Sequence, residues 1–168
     1  SGTTCPENNK FCHSHDGLDW SDVSLNIRWD KAVEYCENLG GRLPTISELR
    51  TLIQNCPTTE TSGKCGVTDG CLSDDCWNVS CKGCEYNQPS GKYSVFGDDY
   101  YLWSSEVLYD IGSAWFVEFI SGWVDNTTKG NDNLDVRCLK HDSSNSGDTG
   151  NTGDTGDTGD SGNTGDTG

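Results

Sequence analysis

Ten cysteines, all lying between Cys5 and Cys138, restrict this chain more than any other feature it carries. Six of them (Cys56, Cys65, Cys71, Cys76, Cys81 and Cys84) crowd into residues 55–92, where apolar side chains nearly vanish. A loop of that length with no core of its own is uncommon in a compact domain. Local disulfides resolve the conflict by restricting the unfolded chain, at about 2–4 kcal/mol each in the chain-entropy account. Zinc is the rival, because Cys81-Lys-Gly-Cys84 has knuckle spacing, but it would leave six or more thiols unexplained. An even, dense count therefore predicts five disulfides and an oxidising compartment. Spacing alone leaves the pairing of the middle six open.

The last 22 residues, 147–168, place glycine at every third position, followed by Asp or Asn and then Thr or Ser. No side chain there is large enough to build a core, so residues 142–168 read as an extended tail, and residues 1–141 as a single domain. Three readings of the tail stay open. The glycine period fits a collagen-like triple helix and hence a trimer, although proline is missing and five of the seven triplets carry a negative charge. One-signed charge and low hydropathy fit a solvated linker equally well. The hydroxyls of Thr149, Thr152, Thr155, Thr158, Ser161, Thr164 and Thr167 also form an evenly spaced ladder of candidate O-glycosylation sites. The repeat breaks off at Gly168 and the chain lacks Met altogether, which is expected of a processed or excised piece of a longer protein.

Net charge is −16, and the six carboxylates of the tail leave −10 on the domain. Such a surface disfavours nucleic acid and other polyanions and favours loose association with divalent cations. No apolar run is long enough to span a membrane.

Within the domain, Cys5-Pro-Glu-Asn-Asn-Lys-Phe-Cys12 reads as a disulfide-closed turn. Trp29, Ala32, Val33, Cys36 and Leu39 fall at helical spacing and stop at Gly40-Gly41. Thr45-Ile46-Ser47-Glu48 is a capping box opening a second helix, with Ile46, Leu49, Leu52 and Ile53 on one face. Tyr100-Tyr101-Leu102-Trp103-Ser104, the hairpin of residues 114–124 turning at Ser121-Gly122, and the alternating run 134–139 read as antiparallel strands. Two helices followed by such strands make an α+β domain.

The run Trp29-Asp30-Lys31-Ala32-Val33-Glu34-Tyr35-Cys36, followed by Gly41-Arg42-Leu43-Pro44-Thr45-Ile46-Ser47-Glu48-Leu49, resembles the Lcl C-terminal domain family, named after a bacterial collagen-like surface adhesin. Leu102-Trp103-Ser104-Ser105, Ala114-Trp115-Phe116-Val117-Glu118-Phe119 and Val136-Arg137-Cys138-Leu139 match its later motifs in order, over roughly residues 17–140. The resemblance implies a C-type-lectin-like fold in a secreted or surface-attached bacterial protein. In that fold the first helix is commonly tied to the last strand, which pairs Cys36 with Cys138. Closing so long a loop is also the most stabilising link in the entropy account, at about 4–5 kcal/mol. Three departures stand out: the Cys-rich insert is long, the repeat follows the domain instead of preceding it, and the domain is acidic. Binding of polyanionic glycans is therefore not carried over.

Candidate sites compete with plainer roles. Trp103, Trp115, Trp123, Tyr100, Tyr101 and Tyr109 are a sugar-stacking set or simply strand-face packing; Trp123, just after the turn, and Tyr109 are the candidate carbohydrate contacts. Asp125, Asp132, Asn133 and Asp135 are candidate calcium ligands, although acidic loops are common for turn reasons and no EF-hand spacing is present. His13 and His15 read as solvated surface histidines. Glu106 and Glu118 are the glutamates embedded in the aromatic strands, but no nucleophile elbow, zinc-peptidase helix or phosphate loop accompanies them. Asn78-Val79-Ser80 and Asn126-Thr127-Thr128 are N-glycosylation sequons. The sequence thus favours a non-enzymatic, extracellular structural or adhesive subunit at the cell surface, without a cofactor, that self-associates into a trimer or fibre. A carbohydrate-binding head and a secreted enzyme are the alternatives.

Overall fold

The helical spacing of Trp29 to Leu39 forms α1 (Trp29–Leu39), which buries Ala32 and Cys36. Gly40 stops it in the left-handed region at φ 99°, where its N–H reaches back to the carbonyls of Cys36 and Glu37. The capping box is formed: the Thr45 hydroxyl accepts from the Glu48 N–H, and the Glu48 carboxylate accepts from the Thr45 N–H. The helix it opens, α2 (Ile46–Arg50), is shorter than the apolar pattern through Ile53 predicts. The computed structural model, which describes residues 4–86, 90–108 and 112–141, gives the reason. Leu52, Ile53 and Gln54 leave the helix to pair with the returning end of the insert, through Val95 N–H to Leu52 O, the Ile53–Ser94 bridge and Gln54 N–H to Tyr93 O. Tertiary pairing overrides the local period.

Among the described residues seven strands form two antiparallel sheets. β1 (His13–His15), β2 (Leu18–Ser24), β3 (Gly41–Arg42) and β7 (Val136–Lys140) make one, in the order β1-β2-β7-β3. β4 (Tyr101–Leu108), β5 (Ser113–Glu118) and β6 (Trp123–Thr128) make the other, in sequence order. The last strand is present, and so is the predicted hairpin, although β5 ends at Glu118 and residues 119–122 together make the turn instead of Ser121-Gly122 alone. The β1–β2 hairpin is an addition; it turns on Asp16-Gly17, both at positive φ (56° and 79°), which matches the twist that tight hairpins need. A parallel bridge between Leu102 and Asp135 joins the sheets. The domain is α+β, with two helices and antiparallel sheets.

Strand alternation sends β5 to two cores. Trp115 and Val117 pack with Ile46, Leu49, Leu102 and Val124 on one face. Ala114 and Phe116 pack with Trp103, Leu134 and the Cys36–Cys138 pair on the other. Trp103 and Trp115 are fully buried, so these two members of the aromatic set are packing. All ten cysteines are bridged. Cys36–Cys138 ties α1 to β7 as the resemblance implied, and Cys5–Cys12 closes the N-terminal turn. The middle six are concentric: Cys71–Cys76 inside Cys65–Cys81 inside Cys56–Cys84. Five disulfides indicate an oxidising compartment, and among the described residues no helix is long and apolar enough to cross a membrane.

Disulfides close the insert but do not place it. Arg50 does. Its guanidinium is buried and donates to three main-chain carbonyls of the insert: Thr59 (2.8 Å), Val67 (2.5 Å) and Glu60 (2.8 Å). Elsewhere the buried Arg137 grips Asp98 through two hydrogen bonds (3.0 and 2.8 Å), donates to Ser21 O and lies 4.8 Å from the Phe96 ring centre. Arg50→Met would strip the donors from three carbonyls at about 1–3 kcal/mol each when buried. The expected loss is about 3–5 kcal/mol, read as a lower thermal midpoint with all five disulfides intact by non-reducing mass spectrometry. Amide exchange should accelerate first within residues 56–84. An unchanged exchange pattern there would refute the anchoring role of Arg50.

Candidate functional site

Strand β6 is an outer strand of its sheet, and its free edge is met by the insert. Cys76 ends a short 3-10 turn (Asp74–Cys76), and the next residue, Trp77, donates its indole N–H to the carbonyl of Val124 at 2.7 Å. This covers an edge that would otherwise present unpaired backbone groups. A second 3-10 turn (Val79–Lys82) leads into Gly83 and Cys84. Cys84 N–H donates to Ser121 O at 2.6 Å, and a Cβ on Gly83 would overlap that same carbonyl. Only glycine permits so close an approach at φ 84°. The Cys56–Cys84 bond then fixes this contact covalently.

Between the insert and the β5–β6 hairpin lies a cleft of about 370 Å³, walled by Trp77, Tyr86 and Trp123, with Asp125, Ser121 and Lys82 around it. Tyr86 is 72% exposed, so its ring face is open to solvent. Trp123 packs edge-on against Phe116, centroids 5.7 Å apart, and holds a fixed orientation. Trp123 and Asp125 are two apart on β6 and share a face. The Asp125 carboxylate accepts from the Asn126 N–H at 2.8 Å, and burial pushes its pKa upward, with Asp74 adding like-charge repulsion. The buried Trp123 indole N–H lacks a hydrogen bond of ordinary geometry but lies near enough to Asp125 to favour its ionised form. The cleft therefore offers flat apolar faces and a half-buried acceptor.

The residues nominated from sequence divide sharply. Trp123 and Asp125 meet in the cleft, although Asp125 was nominated for calcium. Asp135 is buried and accepts from the Asn26 N–H at 2.8 Å, while Asp132 and Asn133 are exposed in the loop before β7. These four do not share a centre. Among the described residues the grouped metal-ligating side chains are Cys5, Cys12, His13 and Asp22, and two of those sulfurs are already a disulfide. Tyr109 and the whole hydroxyl ladder, Thr149 to Thr167, lie outside the described residues. His13 and His15 are half-buried against Phe96, not fully solvated, and His13 pairs with Asp22 at 2.8 Å. Glu118 is buried and accepts from the Ile120 N–H and the Ser121 hydroxyl, which shapes the β5–β6 turn. Asn78 uses its amide to donate to Lys64 O, a bond that a glycan on that nitrogen would disturb.

Trp77 and Tyr86 were not among the nominated aromatics, which were sought on the strands. A signal existed: they are the two aromatic residues in a segment, 55–92, that has almost nothing apolar to pack against. No family model matches the chain, nor does any curated protein or solved structure.

A second acidic feature lies apart from the cleft. Glu106 on β4 accepts from the Ile46 N–H at 2.7 Å, and burial raises its pKa to about 7, with Asp69 and Glu48 adding to the shift. The folded value lies above the ordinary 4.5, so the folded protein holds more protons between these values. Stability therefore falls as pH rises from about 4.5 to about 7. Glu106→Gln keeps the acceptor but cannot ionise. It should flatten that slope and stabilise the fold above pH 7 by about 1–2 kcal/mol, a figure discounted for solvent screening. Urea unfolding on either side of the window measures this, and an unchanged slope would exonerate Glu106.

Proposed function

We propose that this chain is a non-enzymatic, extracellular adhesive head of C-type-lectin-like type that binds carbohydrate in the Trp77–Trp123 cleft. The observation that carries this is a rigid aromatic cleft bearing a half-buried carboxylate. Sugar rings present C–H faces that stack on indole and phenol, and hydroxyls that donate to a carboxylate. Two supports come from outside the cleft. The resemblance to the Lcl C-terminal domain family points to surface adhesion, and the α1-to-last-strand disulfide it implies is present. Five disulfides suit a module working outside the cytoplasm.

In this reading the Gly-Asx-Thr tail is a stalk that projects the head from a bacterial cell surface, with its hydroxyl ladder as the place for O-linked glycans. Self-association into a trimer or fibre would multiply weak sugar contacts through avidity. A secreted enzyme is disfavoured because the carboxyl with the most enzyme-like pKa, Glu106, binds the Ile46 N–H and does not line the cleft.

Titration of the domain with a panel of neutral and amino-sugar oligosaccharides, followed by indole fluorescence and calorimetry, tests the proposal. Tyr86→Ala removes an exposed wall at negligible cost in stability and should weaken binding about tenfold, which is about 1.4 kcal/mol. Trp123→Ala should weaken it further, with some loss of stability from the Phe116 contact. Affinity indifferent to both changes would reject the cleft as the binding site.

A further inference from the structure

The charges around the cleft narrow its ligand. Asp125 is half-buried, and among the described residues it forms no salt bridge. The neighbouring charge that acts on it, Asp74, has the same sign. Lys82 stands at the rim, exposed to water, and is not paired with it. Three aromatic residues line the cleft with this carboxylate, and each ring face attracts a cation by about 0.5–2 kcal/mol, depending on desolvation. The domain as a whole carries −10, a field that draws cations toward the cleft and turns anions away.

Another groove of similar size makes the contrast. It is about 350 Å³, beside Trp29, Glu37 and Arg42, and its arginine and its tryptophan already have charged partners. Arg42 is paired with Glu48 at 2.8 Å, and the Lys129 ammonium sits 4.6 Å from the Trp29 ring centre. The molecule thus satisfies one tryptophan with its own ammonium and leaves Trp77, Trp123 and Asp125 facing solvent without one.

We infer that the cleft is specific for an amino sugar, with a primary ammonium group on the glycan seated between the aromatic walls and the Asp125 carboxylate. This rests on the carbohydrate reading of the cleft. An N-acetylated or N-sulfated version of the same sugar lacks the cation and leaves the carboxylate without a counter-charge.

The test compares a glucosamine trisaccharide with its N-acetylated counterpart, which share a backbone and differ in charge, by calorimetry at low salt. The expected result is a preference of about tenfold or more for the free amine. Asp125→Asn should reduce that preference to about twofold or less, mainly by weakening the amine. Glu34→Gln, which removes one charge from the exposed face of α1, controls for net charge and should leave the preference unchanged. Equal binding of both sugars, abolished by Tyr86→Ala, would overturn the ammonium specificity and leave the carbohydrate site standing. Tetramethylammonium binding as tightly as the amine would overturn the sugar reading while keeping the cation preference. Binding of none of the three would overturn both.

Discussion

The Arg50 guanidinium, buried among the carbonyls of Thr59, Glu60 and Val67, is the interaction on which the cysteine-rich insert and the cleft beside it depend. A segment as poor in apolar residues as 55–92 brings little more than Val67 and its cysteines to the main core, with Leu72 and Trp77 packed against it. Three concentric disulfides shrink its conformational freedom without telling it where to sit. Arg50 supplies the location, because one rigid, charged fork on α2 fixes three points of the loop at once. From there the chain reaches Trp77 and Cys84, and their bonds to Val124 and Ser121 form the cleft. Removing a charged donor from such a place leaves several acceptors stranded, so the insert and the helix stand or fall together.

Much of the scaffold was legible in the residues. α1, the Thr45 capping box and the β5–β6 hairpin are written in local patterns whose physics is short-range: helical spacing, a reciprocal cap and a Ser-Gly turn. The Cys36–Cys138 link came from the family likeness and agrees with the structure. What escaped was set by distant partners. The end of α2 unwinds to bond residues 93–95, a preference that no window around Leu52 contains. The β1–β2 hairpin was hidden by the cysteines beside it, although Asp16-Gly17 is a strong turn signal.

The site was half visible. Trp123 was expected to be exposed, and it is the strand-borne tryptophan that reaches the cleft, while Trp103 and Trp115 are core. Asp125 was counted with Asp132 and Asp135 because they are near in sequence, yet β6 and the approach to β7 carry them to different surroundings. Trp77 and Tyr86 were overlooked because aromatic residues are usually credited to strands. In an insert with so few apolar residues, an aromatic residue either packs on the neighbouring core, as Trp77 partly does, or stays at the surface, as Tyr86 does.

The position of Cys138 has a mechanical consequence. β7 is an inner strand, flanked by β2 and β3, and its last residue, Lys140, lies two beyond Cys138. Tension arriving from the C-terminal side can peel only Leu139 and Lys140 before it meets a covalent bond, and that bond diverts the load into α1. A domain loaded from its C-terminal side therefore bears tension without its strands unzipping from the pulled end.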